Sequence, residues 1–373
     1  MNKKATAEDS VSLKDLNTND HTYRPLFFRT HQEEDRRRLN DLRATIAGLE
    51  VYDQIAGQIR EIVKLRYFKE IQPDTDFDAL TTRHLGGVPI EDYGVWVYYP
   101  WSRRLVHLLD EDEFIEVRTS RNKYKITPEE SALLRTKKIG VVGLSVGQSI
   151  AFTLAMERGC GALHLADFDN IELSNMNRLN VEVHNIGINK AVLAGRKIAE
   201  LDPFISVTCF EDGITDENID AFFERDGRID VLVEECDGID VKISSRLKAR
   251  ALKIPVVMDT NDRGMLDIER FDLEPDRPLF HGNLDESIDL KNLKQLTNHE
   301  KLPLLDAMVN LSSLSPRMKY SLGEMGKSIS TWPQLASSVM LGGAMVADTC
   351  RRILLSEIET SGRYYVDFSE LIK

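Results

Sequence analysis

The chain has 373 residues, 42% of them hydrophobic and 29% charged, and carries a formal net charge of −13. That size admits one large or two ordinary domains with a sizeable core, and the composition is that of a soluble globular protein. The acidic balance argues against nonspecific binding to nucleic acid or to an anionic membrane, both of which need a basic surface. No window reaches the roughly 18 consecutive apolar residues of a membrane span. Met1 to Asp20 is polar and charged, with no apolar core, so it does not read as a signal peptide. Cys160, Cys209, Cys236 and Cys350 are scattered without Cys-x-x-Cys pairs, which offers no four-thiolate zinc site. A cytoplasmic protein with reduced thiols is expected.

Taken in chain order, residues 1–22 are expected to be disordered. Thr30-x-x-Glu33 forms a capping-box pattern, and Glu33, Glu34 and Asp35 followed by Arg36 to Arg38 place charge favourably for a helix over 31–47. Tyr52, Ile55, Ile59, Ile62, Val63 and Arg66 mark a second amphipathic helix. Pro73 to Pro89 reads as a polar connection. Val95–Tyr99 and Leu105–Leu109 flank a turn as a β-hairpin, its aromatic residues read as core rather than as a stacking platform. Residues 23–117 thus read as an α+β accessory region to which the sequence assigns no chemistry.

From Lys137 the pattern alternates. Strands are predicted at 137–143, 162–167, 205–210, 229–235 and 255–259, with helices over 147–159, 187–201, 216–225 and 240–253 between them. Such alternation predicts an α/β domain: a Rossmann-like, doubly wound, mostly parallel sheet with helices on both faces. Gly264 to about Thr331 is looser and is read as crossover segments. Leu335–Leu355 then reads as one long helix with a run of small residues, and 359–373 as a last strand or a linker.

The first strand runs into Gly143-Leu144-Ser145-Val146-Gly147, which supports two chemistries. A tight turn opening a helix aims backbone N–H groups at a phosphate. The same residues spell Gly-x-Ser-x-Gly, the nucleophile elbow of serine hydrolases, with Asp259 and His281 following in the order that such enzymes use. The downstream residues favour nucleotide. Asp167 ends the next strand, 24 positions after Gly143, where an acid can accept hydrogen bonds from ribose. Arg178 and Lys190 supply cations for a polyphosphate, and Asp237 falls at the end of the fourth strand. An NAD-linked oxidoreductase would use Asp167 but leave Arg178, Lys190 and Asp237 without a role.

Asp167-Phe168-Asp169, Ser174-Asn175-x-x-Arg178, Lys190 and Cys236-Asp237-Gly238 together resemble the ThiF-type adenylyltransferase superfamily, which includes the ubiquitin-activating enzymes. The resemblance spans Arg118 to Leu355, so an adenylation domain is expected over 118–358. It implies ATP and Mg²⁺ as cofactors and a carboxylate substrate, such as the tail of a ubiquitin-like or sulfur-carrier protein or a peptide. It also implies a homodimer. On it, Asp237 is the metal ligand, Arg178 and Lys190 contact phosphates, Asp167 holds ribose, and Asn175 reaches a phosphate through its amide. Gly143 and Gly147 shape the loop, and Ser145 contacts nucleotide or caps a helix. Asp169 either assists through Mg²⁺ or caps the following turn. Arg118-Thr119-Ser120-Arg121-Asn122 is similar to a family segment whose second arginine, here Arg121, reaches ATP from the neighbouring subunit. The Ser145 loop and the absent zinc cysteines depart from the usual pattern; this loop variant resembles a branch often joined to a nitroreductase-like domain. No cysteine has the setting of a thioester nucleophile. A catalytically inactive nucleotide-binding regulator is the remaining alternative.

Overall fold

The computed structural model describes residues 21–287 and 298–372. The tail expected over 1–22 lies outside the described residues except for His21 and Thr22. The chain divides into two compact units, Met1–Pro128 and Glu129–Lys373.

In the first unit β1 (Leu26–Phe28), α1 (Glu33–Thr45), β2 (Glu50–Asp53), α2 (Ile55–Arg66), α3 (Phe77–Leu85), β3 (Val95–Tyr99), β4 (Arg104–Leu108) and α4 (Glu111–Arg118) follow one another. The sheet order is β1-β3-β4-β2, with the expected hairpin at its centre and Val97 opposite Val106. All five residues of β3 are buried, and Trp96 stacks on His107 with ring centroids 4.2 Å apart. Three expectations need correction. Thr30 does not cap α1: Gln32 takes the N-cap position without a side-chain bond, and the Asp35 carboxylate turns back to accept the Arg29 N–H. Tyr52 stands in β2, paired parallel with β4, rather than in a helix. The polar connection contains α3, because Asp76 caps it by accepting from the Asp78 and Ala79 N–H groups, and Gly86 ends it in a left-handed turn.

The second unit runs α5 (Pro128–Leu134), β5 (Lys138–Val142), α6 (Gly147–Glu157), β6 (Ala162–Ala166), α7 (Lys190–Leu201), β7 (Ser206–Phe210), α8 (Ile219–Glu224), β8 (Val231–Glu234), α9 (Ile239–Ala251) and β9 (Val256–Thr260). It continues with β10 (Met265–Glu269), α10 (Asn298–Val309), α11 (Pro316–Glu324), α12 (Ala336–Leu354), β11 (Gly362–Tyr365) and α13 (Phe368–Leu371). The seven-stranded sheet has the order β11-β10-β9-β8-β5-β6-β7. Strands β5 to β9 are parallel, as the alternation predicts, while β10 and β11 add on antiparallel. From β5 the chain moves outward through β6 and β7, then returns to β8 on the other side. The strand order therefore reverses between β5 and β8, where an open α/β sheet leaves a crevice beyond its strand ends.

The long small-residue helix is α12, and its glycines allow contact without side chains between. A Cβ on Gly343 would meet Ser149 Oγ of α6 at 2.8 Å, and one on Gly342 would meet Asp259 Oδ2 of β9 at 2.3 Å. Ser149 Oγ donates to Val339 O at 2.9 Å, which ties the two helices across the same contact. Among the described residues, no helix is long and apolar enough to cross a membrane.

Candidate active site

The loop after β5 is built around Gly143. Its φ of +85° lies in the left-handed region, and a Cβ there would come within 2.6 Å of the Cys236 N and the Glu235 carbonyl carbon. No other residue lets the β5 and β8 ends approach so closely. Gly147 opens α6 against Val141, where a Cβ would come within 2.7 Å. Between the two glycines, the Leu144 N–H donates to Asp167 Oδ2 at 2.6 Å, so the loop is tied to the tip of β6.

Asp167 is buried, and its Oδ1 accepts the Asp169 N–H at 2.9 Å. Burial raises its carboxyl above the ordinary aspartate range, against the pull of Lys190 and of both N–H donors. Lys190, the first residue of α7, is only 5% exposed, and its Nζ lies 2.7 Å from Asp169 Oδ2 and 4.0 Å from Asp167 Oδ1. A buried ammonium at the positive end of a helix is an unfavourable placement that these two acids offset. Asn189 fixes the helix start by accepting from the Ala191 and Val192 N–H groups, and it donates to the carbonyls of Asp167 and Glu211. Arg178 Nε donates to Ser145 Oγ at 3.1 Å, and burial lowers its guanidinium while Asp237 opposes that effect. Asp237 itself is exposed, between the end of β8 and the start of α9.

Gly143, Ser145, Gly147, Asp167, Asp169, Arg178, Lys190 and Asp237 thus gather at the C-terminal edge of the parallel strands. Asn175 is buried in a 3₁₀ turn, where its Oδ1 accepts the Glu172 N–H at 3.0 Å, so its side-chain carbonyl shapes the turn. Arg121 is exposed in a 3₁₀ turn of the first unit, Ser120–Asn122. The hydrolase alternative is not assembled. Ser145 Oγ is bonded to Arg178; His281 faces Asp267 through Nε2 at 3.1 Å and Arg277 through Nδ1; and both Asp259 oxygens are buried without a hydrogen-bond partner.

Sequence reasoning missed the ionic framework beneath this edge. Glu234 and Arg246 are fully buried and paired, Lys242 Nζ lies 3.0 Å from Glu234 Oε2, and Arg246 Nε lies 2.8 Å from Glu269 Oε2. Burial works to raise the Glu234 carboxyl, but Lys242 and Arg246 outweigh it and hold it below the usual range. Glu235 and Asp259 lie beside them, both pushed up by burial. The signal in the sequence was a pair of adjacent acids closing an apolar strand, with cations eight and twelve positions after the first of them.

Among the described residues, no group of three His, Cys, Asp or Glu is placed to hold a metal by itself. An exposed lone carboxylate at Asp237 fits a Mg²⁺ ion shared with nucleotide phosphates, since that ion takes one or two carboxylates and keeps its other positions for phosphate and water.

The sequence model of the ThiF family matches residues 119–367. The uncharacterized protein MT1398 of Mycobacterium tuberculosis (strain CDC 1551 / Oshkosh) is 43% identical over 322 residues, which cover 86% of this chain and 42% of that protein. The chain therefore spans less than half the length of this relative. The tRNA threonylcarbamoyladenosine dehydratase of Bacillus subtilis (strain 168) is 22% identical over 249 residues, 64% of this chain and 97% of that one. Among solved structures, the E. coli tRNA N6-threonylcarbamoyladenosine dehydratase in complex with ATP aligns with a TM-score of 0.45 and 19% identity, over 66% of this chain and 97% of that chain.

Proposed function

The chain belongs to the ThiF family, and we propose that it is an ATP-dependent adenylyltransferase that activates a carboxylate as its acyl-adenylate and releases pyrophosphate. The observation that carries this reading is Lys190. It is a buried cation beside a ribose-type acid, at the tip of β6 on the C-terminal edge of the parallel strands, held by an exposed carboxylate that an incoming phosphate can replace.

The chemistry is an in-line attack of a carboxylate oxygen on the α-phosphorus of ATP. A bond forms from that oxygen to phosphorus, and the bond to the bridging oxygen breaks as pyrophosphate leaves. The nucleophile is already ionised at neutral pH, so no general base is required. The difficulty is electrostatic: two anions must meet and charge builds on the leaving group, so cations placed in advance supply most of the catalysis. On this reading Lys190 and Arg178 face the phosphates, and the loop presents the N–H groups of Ser145 and Val146 to them, since those of Gly143, Leu144 and Gly147 donate to Ala166 O, Asp167 Oδ2 and Gly143 O. Asp167 accepts from the ribose hydroxyls, its orientation fixed by Leu144 and Asp169. Mg²⁺ held by Asp237 with the phosphates would neutralise charge on the departing pyrophosphate.

The substrate carboxylate is assigned to the C-terminus of a ubiquitin-like or sulfur-carrier protein, or of a peptide, and the working unit to a homodimer in which Arg121 serves the neighbouring subunit's site. The acyl-adenylate passes to an external nucleophile rather than to a thiol of this chain. Burial pushes the Cys160 thiol up to about 12 and also raises Cys350, while the Cys236 thiol, raised by burial and Glu234, donates to the Glu234 carboxylate. None of these three forms a thiolate readily near neutral pH.

Exchange of labelled pyrophosphate into ATP, screened across protein tails, peptides and small carboxylates, tests the reading. An active substrate is expected, with exchange lost in Lys190→Ala and Asp237→Ala and retained when all four cysteines are replaced. ATP binding without exchange for any substrate class would favour the inactive regulator. A thiol-sensitive covalent adduct lost with one cysteine would overturn the assignment of an external nucleophile.

A further inference from the structure

The turn that carries Asp237 is locked from inside the protein by one carboxylate. Glu234 Oε1 accepts the Cys236 N–H at 3.0 Å and the Cys236 thiol at 3.0 Å, and the same thiol lies 3.6 Å from Gly238 O. Cys236 is thereby drawn inward on both its backbone and its side chain, which leaves Asp237 as the exposed apex between Glu234 and Gly238. The backbone of Gly143 packs against Cys236 N and Glu235 C from the other side. Glu234 in turn cannot swing away. Lys242 Nζ contacts both of its oxygens, at 3.1 and 3.0 Å, and Arg246 pairs with Oε2 while its Nε is held by Glu269. Lys242 and Arg246 thus face Glu234 and Glu269 charge for charge, with Asp267, Glu235 and Asp259 close enough to feel the same two cations. A buried ionic group of this kind is a costly way to stabilise a strand end, because well-packed apolar residues do as well or better. What it supplies is a fixed direction for the residue at the apex.

We infer that Glu234 is a positioning residue for Asp237, and that Lys242 and Arg246 hold Glu234 in register so that the Asp237 carboxylate meets the metal–phosphate edge in one orientation. The inference rests on the proposed role of Asp237 in holding Mg²⁺ against ATP. Groups behind a metal ligand typically change metal affinity by about 10–100-fold when altered.

Calorimetric titration of the full chain with ATP, in the presence and absence of Mg²⁺, separates positioning from folding. Glu234→Asp keeps the charge that Lys242 and Arg246 require but withdraws the acceptor from Cys236 by one methylene. The gain in ATP affinity conferred by Mg²⁺ is expected to fall about tenfold in this variant, while Mg²⁺-free ATP affinity stays within about twofold of the parent. Asp237→Asn should lose the same gain. A gain lost in Asp237→Asn but intact in folded Glu234→Asp would overturn the inference and leave the functional reading standing. A parent chain whose ATP affinity ignores Mg²⁺ would overturn the metal assignment and the inference with it. Should Glu234→Asp fail to fold, Lys242→Met is read in the same way: it frees Glu234 while Arg246 still neutralises it, and an unchanged Mg²⁺ gain there overturns the inference.

Discussion

Asp259 is a carboxylate on a buried strand, both of its oxygens lacking a hydrogen-bond partner, and burial pushes its carboxyl up to about 7 despite Lys242 nearby. The unfolded chain releases the same proton near pH 4. Between about pH 4 and 7 the folded state therefore holds a proton that the unfolded state has lost, and stability falls as pH rises through that window. Asp259→Asn, which cannot ionise, should be more stable than the parent at pH 8 by on the order of a few kcal/mol, with a smaller gap at pH 5. Urea unfolding at both pH values measures this; a gap independent of pH would contradict it. Ser145 gives a second prediction at this scale. Its hydroxyl accepts one hydrogen bond from the Arg178 guanidinium, and a bond to a charged group contributes about 1.5–3 kcal/mol. Ser145→Ala should therefore weaken ATP binding by no more than about 100-fold, as equilibrium titration would show. Stoichiometric labelling of Ser145 by a fluorophosphonate would instead revive the hydrolase. Ser145, Asp167, Lys190 and Asp237 were legible because each sits at a strand end or loop in a fixed order. Glu234 and Arg246 went unread, because the spacing of eight and twelve residues from Glu234 to Lys242 and Arg246 signals pairing only once the next helix is seen to pack against the strand end.

At the scale of elements, the five parallel strands were readable as apolar runs bounded by turns, with ends within one or two residues of those observed. Strand β10 was not. Its Asp267 and Glu269 are buried acids, matched by Arg363 and His281 and by Arg246, so the strand lacks the apolar alternation by which a half-buried strand is read. Helix α3 was hidden in the same way, its start set by one capping aspartate rather than by a hydrophobic stripe. Helix α12 was readable for what its small residues permit. Gly342→Ala would bring a Cβ to 2.3 Å from Asp259 Oδ2, and overpacking of this kind costs about 1–3 kcal/mol. The loss should shrink in an Asp259→Ala background, because the partner of the clash is gone. Equal losses in both backgrounds, measured by thermal unfolding, would mean that the helix seats elsewhere. Gly143→Ala combines a positive φ with a backbone clash at 2.6 Å and should abolish ATP binding together with much of the stability.

For the whole molecule, the family assignment rests on a match over 119–367, while the chain spans 42% of its 43%-identical relative. The assembly is testable without knowing the substrate's identity in the cell. Light scattering should report a homodimer. Once an active carboxylate is in hand, a verified heterodimer of Arg121→Ala and Lys190→Ala subunits should regain about half of the parent exchange activity, because both defects then fall in one composite site and leave the other intact. Failure to regain it would place the action of Arg121 within its own subunit, and an Arg121→Ala homodimer as active as the parent would remove Arg121 from the site. The central claim, that the edge from Gly143 to Asp237 is an ATP site built around Lys190, meets its most direct test in thermal unfolding with Mg-ATP and with NAD. Mg-ATP should raise the melting temperature of the parent chain and leave that of Lys190→Ala unmoved, with NAD inert toward both; a chain stabilised by NAD and indifferent to ATP would contradict the account.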